Sequence, residues 1–170
     1  MQETLCDKRF NDGERTLVLM CEEGIEELDP SKFPSKYVYI ETIDDIEEVT
    51  SEDLAKLVKK YQADRVLIEY NGMWLLSDLA RVFPKEWVVY QEFMFVDAKT
   101  FLPYNANMRS LMVDKLMTAE LVVLNRADDS LNKEEIHKII RGVSRRANIA
   151  YEYTDGHVEY DDIEDPLPFD

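Results

Sequence analysis

The chain has 170 residues, 45% of them hydrophobic, so it is long enough to bury one substantial core. Its formal net charge of -16 repels nucleic acid phosphates and anionic membranes, and neither is predicted as a partner. The sequence contains no run of about 20 apolar residues that could span a membrane. The first ten residues do not form a signal peptide, and two cysteines provide no disulfide framework. A cytoplasmic protein is therefore predicted.

The first half of the chain predicts three strands and two helices. The strands are short apolar runs bounded by turn residues, at Arg15–Cys21, Tyr37–Glu41 and Arg65–Glu69. Thr50, with Asp53 three residues later, predicts a helix that begins close to a capping box. A second helix is predicted over Met73–Phe83 and ends before Pro84.

The second half continues this alternation. Strands are predicted at Trp87–Val96, Leu121–Leu124, Ile149–Tyr153 and Val158–Tyr160. Helices are predicted over Asn107–Met117 and after Asn132, which caps a helix with an apolar stripe. His137 falls on the polar side of that last helix and is predicted to be a surface residue.

Strands that alternate with helices predict an α/β fold, in three layers, with a mainly parallel sheet between helices. Residues 1–170 are interpreted as a single domain. In such folds the functional residues collect at the carboxyl ends of the strands. Polar segments follow four predicted strands at that end, after Cys21, Glu69, Asp97 and Leu124.

The segment Asn125-Arg126-Ala127-Asp128 follows a buried strand and matches a guanine-binding motif, with arginine in place of lysine. A carboxylate at the last position can accept hydrogen bonds from guanine N1–H and from the exocyclic amine, a pair that adenine does not offer. The asparagine would brace the loop, and the stem of Arg126 would lie along the base. The alternative interpretation is an ordinary polar turn after a strand.

The segment Glu69-Tyr70-Asn71-Gly72 suits a site for magnesium and phosphate. The carboxylate of Glu69 could hold the metal through water, and Gly72 lets a backbone N–H approach a terminal phosphate. The alternative is a turn that ends a strand and binds nothing.

These segments, taken in order, resemble the nucleotide-binding domain of the CobW/HypB/UreG family of P-loop GTP-binding proteins. The acidic segment after Cys21 is similar to the family's Asn-Glu-Phe-Gly…Asp stretch, and Val96-Asp97-Ala98 to its Val-Asp-Ala. The remaining matches are to its Glu-x-x-Gly, its guanine motif and its Asn-Pro-x-Ala step. The positions concerned are Glu22, Gly24, Asp29, Glu69, Gly72, Asn125, Asp128 and, without the proline, Asn148.

The resemblance implies binding and hydrolysis of GTP with Mg²⁺, used to deliver a transition metal or to mature a metalloprotein client. Guanine would be read by Asp128 and Asn125, with Arg126 and Asn148 beside the base. Gly72 would approach the γ-phosphate. The remaining roles fall to acidic side chains: Glu69 would serve Mg²⁺ and catalysis, and Glu22 or Asp97 would assist the metal or the attacking water.

Two departures from the family pattern limit these implications. The phosphate loop, Gly-x-x-x-x-Gly-Lys-Ser/Thr, does not occur in the 170 residues, nor does the Cys-x-Cys-Cys metal motif of many members. Residues 1–5 are expected to lie inside the helix that follows the loop, so that the central first strand is absent. Residues 166–170 are expected to lead to a further domain.

Three expectations follow from the absent loop and strand. The 170 residues should not hydrolyse GTP. Arg65–Glu69 and Leu121–Leu124 should lack a shared partner strand, which favours a homo-oligomer or a strand-exchanged dimer. A different class of function also remains open, namely a non-catalytic interaction module that keeps the fold without the nucleotide site.

Overall fold

The computed structural model describes residues 1–10, 13–22 and 28–164. The chain divides into two compact units, Met1–Trp87 and Val88–Asp170, and each has its own sheet and its own core. Among the described residues, none of the helices combines the length and the apolar character that crossing a bilayer requires.

The first unit contains a parallel three-stranded sheet in the order β2-β1-β3. Its strands are β1 (Thr16–Met20), β2 (Val38–Thr42) and β3 (Arg65–Glu69), and its helices are α1 (Gln2–Cys6), α2 (Ser51–Tyr61) and α3 (Leu76–Val82). Short 3₁₀ helices cover Pro30–Lys32 and Ile46–Glu48. The middle strand is apolar on both faces, because Leu17, Val18 and Leu19 are fully buried.

The second unit contains a four-stranded sheet in the order β4-β5-β6-β7, parallel except for the last pair. Its strands are β4 (Phe93–Asp97), β5 (Leu121–Ala127), β6 (Asn148–Tyr153) and β7 (Val158–Tyr160). Its helices are α4 (Phe101–Asn107), α5 (Arg109–Thr118) and α6 (Lys133–Arg141). Fully buried Leu116, Val122, Leu124, Ile136 and Ile140 form the centre of this unit's core.

The α/β class with mainly parallel strands and flanking helices is confirmed in both units. The interpretation of residues 1–170 as a single domain stays a prediction. Several element bounds differ from those predicted. The strand predicted over Trp87–Val96 is shorter, since β4 begins at Phe93, and α3 begins at Leu76. The helix α4 has no counterpart among the predicted elements, and Pro103 lies in its first turn, where proline is tolerated.

The expected edge strands require one correction. The prediction left Leu121–Leu124 without a partner on one side, but β5 lies between β4 and β6 and is hydrogen-bonded to both. The open edge of this sheet belongs to β4, which pairs with β5 alone among the described strands. In the first unit β3 pairs with β1 alone among the described strands, as expected.

The prediction that His137 is a surface residue is wrong. Its residue exposure is 5%, and its Nδ1 lies 2.7 Å from Oδ2 of Asp161, whose side chain is 2% exposed. The segment after β7 covers the polar side of α6, which periodicity alone does not show. A buried imidazole needs a polar partner, and Asp161 provides one.

The capping box predicted at Thr50 is confirmed and generates a test of local stability. The Thr50 hydroxyl accepts the backbone N–H of Asp53 at 3.3 Å, and the Asp53 carboxylate accepts the backbone N–H of Thr50 at 3.1 Å. Thr50→Ala should lower the free energy of unfolding by about 1 kcal/mol, because a helix N–H loses its partner. Ser51→Ala, one residue further along, is the control and should change it by less than half as much. Urea unfolding followed by circular dichroism measures both variants, and equal effects would contradict the prediction.

Candidate functional site

The carboxyl ends of β4 and β5 lie side by side. Asp97 is the register partner of Asn125, and the backbone N–H of Ala98 donates to the carbonyl of Asn125 at 2.9 Å. The β5–β6 register shifts between Leu124 and Ala127, and within this bulge Arg126 has φ of +55°. A bulge turns side chains away from the regular alternation. It therefore presents the predicted guanine motif at the end of the strand, next to the loop that follows β4.

Two ion pairs connect the ends of β4 and β5 and the loops that follow them. Arg126 Nη1 lies 2.8 Å from Asp97 Oδ2, and Lys99 Nζ lies 2.7 Å from Asp128 Oδ2. In the first pair the cation comes from β5 and the anion from β4, and in the second pair the cation comes from the loop after β4 and the anion from the loop after β5. The side chains of Asp97 and Asp128 are 25% and 39% exposed, so both pairs are within reach of solvent.

Asp128 is held in place by its own loop as well. Its Oδ1 accepts the backbone N–H of Ser130 at 3.0 Å and the Ser130 hydroxyl at 2.5 Å. The Lys99 ammonium, followed by these bonds from Ser130, lowers the pKa of the Asp128 carboxyl to about 2. Asp128 is therefore a fixed, ionised carboxylate at neutral pH, which is the acceptor that two guanine N–H groups require.

Asn125 contributes an unpaired acceptor. Its Oδ1 is buried and has no hydrogen-bond partner among the described residues. Buried polar atoms in folded proteins are normally paired, so this oxygen calls for an explanation. It lies in the motif itself, where a donor from a ligand or an ordered water would satisfy it.

Asp97, predicted as a catalytic residue, is occupied on both of its oxygens. Oδ2 accepts Arg126, and Oδ1 accepts the backbone N–H of Lys99 at 2.9 Å. These contacts lower the pKa of the Asp97 carboxyl, and the hydrogen bond from Arg126 is the largest cause. The structure thus brings Asp97 together with the motif residues Asn125 and Arg126.

In the first unit, two of the three predicted site residues, Gly72 and Glu22, are joined by a hydrogen bond, and the third is Glu69. The backbone N–H of Gly72 donates to Glu22 Oε2 at 3.1 Å, and the backbone N–H of Cys21 donates to the carbonyl of Glu69 at 2.9 Å. Glu69 is exposed at the end of β3. These residues thus lie at the carboxyl ends of β1 and β3, where the sequence placed them.

Two other matched positions, Gly24 and Asp29, remain to be placed. Gly24 lies outside the described residues. Asp29 accepts the backbone N–H and the hydroxyl of Ser31, which caps the first 3₁₀ helix. Asp29 therefore has a structural role in its own loop.

Asn148 is not brought to the guanine motif. It begins β6 and is the register partner of Leu121, at the amino end of the parallel pair, whereas Ala127 at the carboxyl end pairs with Tyr153. Ala127 lies six residue steps along the strand from Leu121, a distance of about 20 Å. The prediction that Asn148 lies near the base is therefore corrected. The residues that resemble the Asn-Pro-x-Ala step lie at the start of β6, whereas the guanine motif lies at the carboxyl end of β5.

Sequence reasoning missed the two residues that hold Asp128. The contact with Ser130 could have been predicted from the sequence, since an Asp side chain in a turn commonly accepts a hydrogen bond from the residue two positions later. The contact with Lys99 could not, because it depends on the pairing of β4 with β5.

No group of three or more His, Cys, Asp or Glu side chains in the described part of the chain is arranged to hold a metal ion. Cys21, at the end of β1, is buried, and burial raises the pKa of its thiol to about 11. A groove of about 660 Å³ in the second unit is lined by residues of α5 and α6, including Arg109 and Lys138, and by none of the predicted site residues.

Comparison with known proteins gives one match. The sequence model of the family described as CobW/HypB/UreG, nucleotide-binding domain, matches residues 43–151, which is 109 of the 170 residues. The matched segment includes β3 with Gly72, β4 with Asp97 and Lys99, and β5 with its bulge. Neither a curated protein nor a solved structure matches the chain.

The contacts of Asp128 predict how it titrates. Its pKa in the folded chain, about 2, lies below the value of about 3.9 in an unfolded chain. Its contribution to stability is therefore present above about pH 4 and is lost as the pH falls through about 2. Lys99→Met should raise the pKa, because Lys99 is the largest cause of the shift, and Ser130→Ala should raise it by less. Carboxyl carbon NMR titration measures both, and an unchanged pKa in Lys99→Met would contradict the ion pair.

Proposed function

Because the chain belongs to the CobW/HypB/UreG family, nucleotide-binding domain, we propose that it binds GTP, with the guanine at the carboxyl ends of β4 and β5. The observation that carries this proposal is the Asp128 carboxylate, which is ionised, positioned by Ser130 and partly exposed. It is the acceptor that guanine's adjacent N–H groups need and that adenine cannot use.

Asn125 supports the same assignment. Its buried Oδ1 lacks a partner among the described residues, three positions before Asp128 in the same bulged segment. A bound base or a water that it orders would satisfy this atom. The donor set of guanine thus fits two acceptors of this segment: the partly exposed Asp128 carboxylate, which a base would share with Lys99 and Ser130, and Asn125 Oδ1.

The first unit, taken by itself, contains a separate proposed group, Gly72, Glu22 and Glu69, that suits phosphate and Mg²⁺. Gly72 offers a backbone N–H, at present bound to Glu22, that a terminal phosphate oxygen could accept instead. Glu22 and Glu69 would then hold the cation through water, since magnesium keeps several of its waters in nucleotide sites. When bound, Mg²⁺ would neutralise the phosphate charge against an acidic chain.

Hydrolysis requires more than these residues. A phosphate loop supplies backbone N–H groups, a lysine and a hydroxyl for Mg²⁺, and these 170 residues contain no such motif. We therefore expect the 170 residues to bind GTP weakly and not to hydrolyse it.

A role in metal delivery or in maturing a metalloprotein client extends this proposal. It rests on the family resemblance alone, and the Cys-x-Cys-Cys metal motif does not occur in the sequence. Cys6 and Cys21 form no disulfide, which favours a reducing cytoplasm as the place of this proposed activity. Of the two proposed activities, GTP binding has the greater support from the residues.

A second candidate function is an interaction module that does not turn over nucleotide. The observation that favours it is an exposed apolar segment at the open edge of β4, where Phe93 and Phe95 are 47% and 64% exposed. Just before it, Val88 and Tyr90 are 73% and 88% exposed. Exposed strand edges with apolar side chains readily pair with another strand.

Base choice tests the first proposal. The 170-residue chain should bind GTP with a dissociation constant of about 1 mM or weaker, near -4 kcal/mol, with GTP preferred over ATP. Asp128→Asn should remove that preference, since an amide cannot accept both guanine N–H groups. The loss of one bond to a charged group corresponds to about 10- to 150-fold. Xanthosine triphosphate, with an oxygen in place of the amine, should gain affinity for the variant.

NMR titration with the three nucleotides and Mg²⁺ measures these changes. Asp129→Asn is the matched control, because it removes a neighbouring carboxylate outside the motif and should leave the order GTP over ATP unchanged. An unchanged preference in Asp128→Asn would remove Asp128 from the base site. Micromolar binding of GTP would show that the phosphates have a site other than a phosphate loop.

Self-association tests the second candidate. Two copies that pair β4 with β4 in antiparallel orientation around Phe95 would cover both open edges and both aromatic side chains. Sedimentation at micromolar concentration should show twice the mass of the 20.0 kDa chain. Phe95→Glu should return it to the monomer, because like charges would then face each other.

Tyr160→Glu is the control for this experiment. Tyr160 is 70% exposed on β7, the strand at the opposite edge of the same sheet. This variant should still dimerise. A monomeric wild-type chain, or equal effects of the two variants, would refute pairing through β4.

A further inference from the structure

The cation that contacts Asp128 comes from a different loop. Lys99 Nζ lies 2.7 Å from Asp128 Oδ2, whereas Arg126, the cation of the motif itself, contacts Asp97. The side chains of Lys99 and Asp128 are 56% and 39% exposed, so a ligand that reaches one reaches the other. An ammonium group carries three N–H donors, and one carboxylate oxygen does not use them all. Lys99 thus adds donors that the motif alone does not provide.

The contacts of Asp128 also distinguish its two oxygens. Oδ1 is held by the backbone N–H and hydroxyl of Ser130, and Oδ2 is the oxygen that meets Lys99. The carboxylate cannot rotate freely without breaking these bonds. A base that docks on this carboxylate therefore meets the Lys99 ammonium on the Oδ2 side.

Guanine presents O6, N1–H and the 2-amino group in a row along one edge. When N1–H and the 2-amino group donate to a carboxylate, O6 lies next to the carboxylate oxygen that accepts N1–H, and O6 then needs a donor. Lysine has a flexible stem and rotatable donors, so an ammonium that already touches the carboxylate can also reach O6. We infer that Lys99 donates a hydrogen bond to guanine O6 and is a specificity-determining residue of the base site. This inference rests on the proposed guanine site at Asp128.

The two ion pairs make this assignment specific to Lys99. Arg126 Nη1 lies 2.8 Å from Asp97 Oδ2, so its guanidinium is directed to the end of β4. A return of Arg126 to the base edge would leave Asp97 without that cation. Lys99 only has to share Asp128 with the base.

A pair of nucleotides isolates the contact with O6. GMP and 6-thio-GMP share the N1–H, the amine and the phosphate, but sulfur is a weaker acceptor than O6. We propose to titrate both into the 170-residue chain at mildly acidic pH, where both bases keep the N1 proton, and to follow the backbone amides of Ala127 and Ser130 by NMR. The wild-type chain should bind GMP about three- to tenfold more tightly, as expected for one partly exposed bond to a charged group.

Three variants complete the experiment. Lys99→Met should weaken GMP binding and bring the ratio between the two nucleotides close to one. Lys99→Arg keeps a cationic donor and should keep a ratio above that of Lys99→Met. Lys138→Met removes an exposed lysine from α6 and controls for the loss of one positive charge, so it should keep the wild-type ratio.

Each outcome decides a separate point. Tighter GMP binding by Lys99→Met would show that Lys99 competes with the base for Asp128, and an unchanged ratio would show that it does not contact O6. Either result overturns the role of Lys99 while leaving the guanine site in place. No response of residues 125–130 to GMP in the wild-type chain would overturn the guanine site and this inference with it.

Discussion

The candidate site depends on the parallel pairing of β4 with β5. The register that places Asp97 beside Asn125 also places the two following loops side by side, since parallel strands end at the same edge. The Arg126–Asp97 pair joins the ends of the two strands and the Lys99–Asp128 pair joins the loops after them, so neither pair would exist without the strand pairing. A shift of one residue in this register would move every side chain of β4 to the opposite face and separate the pairs.

This arrangement matters because the chain is strongly acidic. With a net charge of -16, an unpaired carboxylate cluster would repel the triphosphate of a nucleotide. At the proposed base site Asp97 and Asp128 each have a cation within 3 Å, so these two pairs are locally neutral. A ligand would therefore meet directional hydrogen-bonding groups, which are acceptors at Asp128 and Asn125 and donors at Lys99. Such a set suits the edge of a base better than it suits a phosphate group.

The sequence was sufficient to predict features that depend on near neighbours along the chain. The capping box of α2 involves residues three apart, and the apolar runs of β1, β3 and β5 are contiguous. The features that it could not predict depend on residues far apart. His137 is buried because the segment 24 residues later covers it, and Lys99 contacts Asp128 only through sheet pairing. Asn148 shows a third case, in which a motif was matched by its letters but lies at the wrong end of a strand.

The contacts of Asp97 bear on the catalytic role predicted for it. A general base for an attacking water works best when its pKa lies near the working pH. Arg126 and two backbone N–H groups, those of Lys99 and Thr100, instead lower the pKa of Asp97, which makes it a weaker proton acceptor than an ordinary aspartate. Its two oxygens are occupied, one by the guanidinium and one by the Lys99 backbone. In this structure Asp97 anchors Arg126, and the Asp128 carboxylate contacts Lys99 instead.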